Sequence, residues 1–137
     1  MDIAEALDYC RENHHSVLIT WKRSGKPQPS PVVHGVDEDG RIVISTRETA
    51  YKVKNLRRDP RATLCALPDT FTGRWLSVEG TVEIVSLPEA MEPLVDLYRQ
   101  IVQGEHPDWD DFREAMVREQ RVLLRRTPER AGPDVHG

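Results

Sequence analysis

The chain has 137 residues, 38% hydrophobic and 31% charged, a length that fits one domain and leaves no room for separate cofactor and substrate domains. No apolar run approaches the roughly 18 residues of a membrane span, and no basic, apolar leader opens the chain, so a soluble, cytoplasmic protein is expected. A net charge of −4 argues against a nucleic-acid surface over the whole molecule.

In chain order, Ile3, Leu7 and Cys10 share a helical spacing that predicts an N-terminal helix of about ten residues. Ser16 to Trp21 is a β-branched run, and Ser24-Gly25-Lys26-Pro27 supplies a turn. Ser30 to Val36 reads as a second strand whose start Pro31 places at an edge or bulge. Asp37-Glu38-Asp39-Gly40 is a hairpin signal returning into Arg41 to Thr46. The period then changes. Val53 and Leu56 mark a short helix between Thr49 and Arg58, stopped by Asp59-Pro60. Arg61 to Leu67 resumes a strand, Pro68 to Gly73 is loop, and Trp75 to Val85 is a long alternating strand with a bulge or bend expected at Gly80. Leu94, Leu97, Tyr98 and Ile101 form one face of a helix with Pro93 near its first turn. A second helix is predicted from about Asp108 to Arg118. Val122 to Leu124 is a last short strand. Residues 1–126 thus read as a single domain, mainly β with helices, whose six strands suggest a small closed or partly closed β-barrel, and residues 127–137 as a loose C-terminal tail.

The familiar catalytic signatures are missing. Two cysteines, Cys10 and Cys65, form no CxxC, and the five histidines form no HxxxH pair, so no metal site is expected. There is no GxG and no GxSxG. His106 with Asp108, Asp110 and Asp111 reads as the acidic start of a helix rather than a metal cluster. Trp109 and Phe112 read as core or dimer anchors. His34 is expected to be structural in the main, with donation to a substrate as its alternative role.

One segment stands apart. Arg47 to Arg61 holds six bases against two acids, a local +4 in an acidic chain. Ser45 and Thr46 end a strand just before the helix, Thr46 or Thr49 can cap it, and Lys52 and Asn55 follow. Hydroxyls, backbone donors and a cation near one point make a workable phosphate site without a glycine loop. A capped surface helix ended by Asp-Pro is the plainer alternative.

Lys52 to Arg61 following Ile44-Ser45-Thr46, with Gly25 to Val32 upstream and Ser77 to Val82 downstream, resembles the flavin-binding split barrel of pyridoxamine 5′-phosphate oxidase relatives. Tyr98 to Ile101, Gly104 to Met116 and Arg121 to Leu124 resemble an actinobacterial branch of small oxidoreductases that use the deazaflavin F420. The resemblance spans roughly residues 3 to 126. It implies a ring lying along Gln28, Ser30, Pro31 and Val32, and a phosphate held by Ser45, Thr46 and Lys52 with Asn55 nearby. It also implies a homodimer in which Arg74, Trp75 and Ser77 reach the other subunit's site. Many relatives carry an arginine two positions before the lysine. Here that position is Ala50, with Arg47, Lys54 or Arg57 as candidates to compensate.

The implied activity is hydride transfer between reduced F420 and a small conjugated organic acceptor, the chemistry belonging to the cofactor. An FMN-binding oxidase or flavin reductase of the same fold and a non-catalytic F420 carrier are the alternatives.

Overall fold

The computed structural model describes residues 1–70 and 72–136. Its elements are α1 (Ile3–Glu12), β1 (His15–Trp21), β2 (Pro27–Val36), β3 (Ile42–Arg47), α2 (Tyr51–Arg58), β4 (Arg61–Leu67), β5 (Arg74–Val85), α3 (Met91–Val102), α4 (Trp109–Arg118), β6 (Arg121–Arg126) and β7 (Arg130–His136). The strands run in the order β4-β1-β2-β3-β6-β5, and β5 pairs back onto β4. The six-stranded barrel expected from the sequence is therefore closed, and every pair in it is antiparallel.

Two apolar clusters share β3 and β6. Inside the barrel, Ile42, Ile44, Val122 and Leu124 pack with Leu18, Leu64, Leu76 and Val78, and with Val53 and Leu56 from α2. On the outer side, Val43 and Leu123 pack against Leu94, Val95 and Leu97 of α3 and Phe112 and Met116 of α4. Buried on both faces, these strands read as continuous apolar runs rather than alternating ones. The docking of α3 has its own polar anchor. The Gln100 amide donates to Val36 O and accepts from Val36 N, both at 2.7 Å, extending the sheet where β1 has ended. Gly35 makes this possible, since a Cβ there would lie 2.3 Å from Gln100 Oε1 and 2.7 Å from Leu97 Cδ1. Tyr98, His106, Trp109 and Phe112 pack ring against ring between α3 and α4, at centroid distances of 5.0 to 5.7 Å. Asp108 caps α4, accepting from Asp111 N at 3.1 Å.

Three expectations are corrected. The tail is not loose: after Thr127 the chain continues along the β5 edge that β6 has left, and β7 pairs with Arg74 to Glu79. Glu129 N donates to Glu79 O at 2.9 Å, and Asp134 accepts two bonds from Arg74, at 2.6 and 2.8 Å. Gly132 (φ +116°) lies inside this edge strand. Strand β2 begins at Pro27, not Ser30. Its prolines sit at alternate positions, and because His34 N donates to His14 O, their missing N–H groups fall on the edge away from β1. Gly80 is not a bulge: it pairs in register with Ala62, and the irregularity lies between Leu76 and Val78 toward β7. Its lack of a side chain admits Thr127 O and Arg126, which a Cβ would meet at 2.7 and 3.3 Å. Phe71, in the expected loop, and Gly137, in the expected tail, lie outside the described residues. No helix among the described residues is long and apolar enough to cross a membrane.

The polar core is structural. His34 is fully buried; its Nε2 donates to Cys10 O at 3.1 Å and its Nδ1 accepts from the Ser16 hydroxyl. Burial pulls the imidazole down to about 4 despite the bond to Cys10 O, so it is neutral and sealed away from any substrate. Burial likewise pushes the Cys10 thiol up to about 11, against the pull of Arg126. Arg126 spans the barrel interior, Nη2 donating to Ala62 O and Val78 O at 3.1 and 2.8 Å.

Two outcomes are expected. Gly80→Ala should cost about 1–3 kcal/mol in urea unfolding, because its contact is backbone that cannot swing aside; Gly104→Ala, with nothing within 4 Å, should stay within about 0.5 kcal/mol. Equal stabilities would contradict the packing at Gly80. Since His34 takes up its proton more readily unfolded than folded, stability should be full above pH 6.5 and fall as pH drops toward 4. The loss from this group is on the order of 3 kcal/mol. His34→Gln should flatten the slope between pH 6.5 and about 4.5; an unchanged slope would remove His34 as its source.

Candidate anion and ring site

The end of β3 and the start of α2 lie at the head of a groove of about 530 Å³. Ser45, Thr46 and Lys52 line it together with Pro31, Val32 and Val33 of β2. The opposite wall is apolar: Leu94, Leu97, Tyr98 and Ile101 of α3, with Phe112 and Met116 of α4. Arg121, the first residue of β6, completes the head. The groove thus has a cationic, hydroxyl-bearing end and an apolar flank.

Local folding explains the head. The cap of α2 is Ala50, not Thr46 or Thr49, and no side chain accepts from the first turn. Thr46 is held inside β3 opposite Val122, and Thr49 lies in the turn that precedes Ala50. The positive end of the helix dipole is left for an anion. Burial and then the neighbouring Arg121 charge hold the Lys52 ammonium below its ordinary range, and among the described residues no carboxylate pairs with it. These features fit a phosphate-bearing cofactor, whose phosphate Ser45, Thr46 and Lys52 would hold.

The remaining candidates separate. Gln28 and Ser30 lie on β2 outside the groove's lining, and Gln28 Nε2 bonds the neighbouring Pro29 O at 3.3 Å. Asn55 is not part of the head: it is buried, donates to Thr20 Oγ1 at 3.1 Å and accepts from Arg58 at 3.3 Å, tying α2 to β1. Arg57 is paired with Glu48 at 2.6 Å, Arg47 with Glu119 at 3.2 Å and Arg61 with Asp59 at 2.7 Å. Much of the basic island is therefore neutralised locally. Lys54 sits over the Tyr51 ring. Arg74, Trp75 and Ser77 lie on β5, away from this groove, with Arg74 locked to Asp134 and packed over Tyr9.

Sequence reasoning missed Arg121 and the helical wall as parts of the site. Only the helical wall had a signal in the sequence. Leu94, Leu97, Tyr98 and Ile101 were read only as one apolar face of a helix, and the antiparallel pairing of β3 with β6, which sets Arg47 opposite Arg121, has no local marker.

Comparison with known proteins agrees with the barrel. A family model described as pyridoxamine 5′-phosphate oxidase matches residues 3–133. A crystal structure of a conserved hypothetical protein from Mycobacterium tuberculosis superposes with a TM-score of 0.79 at 28% identity, covering 96% of this chain and 82% of that one. An F420 reductase superposes with a TM-score of 0.66 at 20% identity, over 88% and 90% of the two chains. The haem storage protein HutZ from Vibrio cholerae gives 0.69 at 16% identity, over 100% and 98%. Reductase and storage protein share this barrel, so the last two likenesses speak for fold alone. With the family match running through nearly every strand and through the groove itself, the chain belongs to the pyridoxamine 5′-phosphate oxidase family.

Proposed function

We propose that this protein is an F420-dependent oxidoreductase that transfers a hydride between reduced deazaflavin and a small conjugated organic acceptor. The observation that carries the reading is the two-ended groove: Lys52, Ser45, Thr46 and an uncapped helix start at one end, an apolar flank along β2, α3 and α4. When bound, the reduced deazaflavin supplies the hydride, and water supplies the proton that completes reduction of the acceptor. The protein's share is binding and orientation. Lys52 and the α2 amides fix the anionic end. Val32, Leu97, Tyr98 and Ile101 exclude water along the ring. Two points favour F420 over FMN: the resemblance of residues 98–124 to the F420-using branch, and Arg47, whose exposed ion pair opens at little cost to meet glutamyl carboxylates.

The same reading includes a homodimer. The outer faces of β1, β2, β4, β5 and β7 carry Val17, Ile19, Pro31, Val33, Cys65 and Trp75, and Val33 and Val135 are 45% and 42% exposed. This apolar sheet runs to the groove through Pro31 and Val33, so a second copy seated on it would close the ring end. Across that contact Arg74, Trp75 and Ser77 would face the partner's cofactor.

Calorimetric titration with F420 and FMN in parallel tests the cofactor. Tighter binding of F420 is expected; tight FMN binding without F420 binding would overturn the assignment. Lys52→Ala should weaken F420 roughly 10- to 100-fold, as loss of a charge-assisted contact does, with an unchanged unfolding midpoint. Ile19→Glu should convert a dimer to a monomer in sedimentation and lower F420 affinity; a wild-type monomer that binds F420 equally well would contradict the shared site.

A further inference from the structure

Lys52 is not alone at the head of the groove, and the second charge has a built support. Two turns meet there: the β3–α2 turn and the α4–β6 turn. They are joined by the β3–β6 ladder, which ends at Arg47 opposite Arg121, and by Glu48 N donating to Gln120 O at 2.9 Å. Gln120 adopts a left-handed backbone (φ +54°), so the chain reverses within one residue and sets Glu119 and Arg121 side by side. Glu119 accepts from Arg121 Nε and Nη2 at 3.1 and 2.9 Å, and from Arg47 Nη2 at 3.2 Å. The Arg121 side chain is thereby held by its Nε/Nη2 edge. Among the described residues its Nη1 has no partner.

Charge counting points the same way. Arg47 and Arg121 share a single carboxylate, Glu119, and among the described residues none pairs with Lys52, so the head keeps an excess of positive charge in a half-buried place. Two other grooves on the surface do not. The one beside the β2–β3 hairpin is rimmed by Asp37, Glu38, Asp39 and Asp96, with Arg41 already bonded to Asp37 and Asp39. The one on α1 is lined by Glu5, Asp8 and Glu12, where Arg74 is bonded to Asp134. Two cations held close without an intervening carboxylate repel unless a ligand anion lies between them.

We propose that Arg121 is the second cation of the anion site: with Lys52 it clamps a phosphate oxyanion, supplying from β6 the charge that Ala50 does not supply from α2. Glu119 is a positioning residue that presents Arg121. This rests on the reading of the groove as a cofactor site but not on which cofactor fills it, since F420 and FMN both carry a phosphate.

The test compares ligands with and without phosphate. Dissociation constants are measured for F420 and for its phosphate-free deazaflavin riboside, and in parallel for FMN and riboflavin. The proteins are wild type, Arg121→Met, Arg121→Lys and Glu119→Gln, with urea midpoints recorded for each. Arg121→Met is expected to weaken the phosphate-bearing ligand roughly 10- to 100-fold and leave the phosphate-free ligand unchanged. Arg121→Lys should recover most of the loss, and Glu119→Gln should lie between. The salt dependence of binding should also become shallower in Arg121→Met.

Unchanged F420 and FMN affinities in Arg121→Met, or equal losses for ligands with and without phosphate, would overturn the proposal. So would failure of both cofactors to bind the wild type. Binding of FMN alone, still dependent on Arg121, would overturn the F420 reading and uphold Arg121.

Discussion

The pairing of β3 with β6 joins segments more than seventy residues apart, and most of the molecule depends on it. It closes the barrel between the hairpin half of the chain and its last third. Because Ile42, Val43, Ile44, Val122, Leu123 and Leu124 are all buried, the two strands belong to the barrel core on one side and to the helical layer on the other. The ladder therefore fixes where α3 and α4 lie, and so fixes the apolar wall of the groove. Its last rung sets Arg47 opposite Arg121, which brings a β6 cation to the start of α2. Burying both faces of a strand pair makes register costly to change, since a one-residue slip would exchange the two cores.

Electrostatics then separates the groove from an ordinary capped helix. A side-chain cap on α2 would have satisfied its first amides; Ala50 leaves them without one. Ion pairs neutralise Arg57 and Arg61, while Lys52 shares a half-buried space with Arg121, and burial and then the Arg121 charge raise the cost of charging the lysine. Such an arrangement is unfavourable until an anion enters, and that unfavourable term becomes binding energy when one does. Among the described residues the groove's lining holds no acid, base or nucleophile beyond Lys52 and hydroxyls, which suits a ligand that carries its own reactive centre.

Much of the barrel could be read directly from the sequence, because β-branched runs, the Asp39-Gly40 hairpin and the alternation of Leu76, Val78, Gly80 and Val82 are local signals. The strand of Arg130–His136 could not, since Gly132-Pro133 and surrounding charge imitate a tail and only the vacant edge of β5 makes a strand of it. The same division holds at the site. Ser45, Thr46, Lys52, Pro31 and Val32, which the family resemblance sets around one cofactor, all line the groove. Asn55 shares their segment yet turns to Thr20 because its position on α2 faces the barrel. Arg121 escaped notice because its role comes from a long-range rung, and the excess of bases in Arg47 to Arg61 overstated the free charge because Glu48, Asp59 and Glu119 neutralise part of it.

The proposed function requires that this groove hold a deazaflavin for chemistry and not for storage alone. Its most direct measurement is the rate at which the protein-bound, reduced F420 is oxidised when quinones, enones and tetrapyrroles are offered in turn, followed by loss of the reduced chromophore under anaerobic conditions. Oxidation by at least one conjugated acceptor, at a rate that depends on protein concentration and falls in Lys52→Ala, is the expected result. Tight binding of F420 with no acceptor oxidising it above the protein-free rate would contradict an oxidoreductase and leave a carrier.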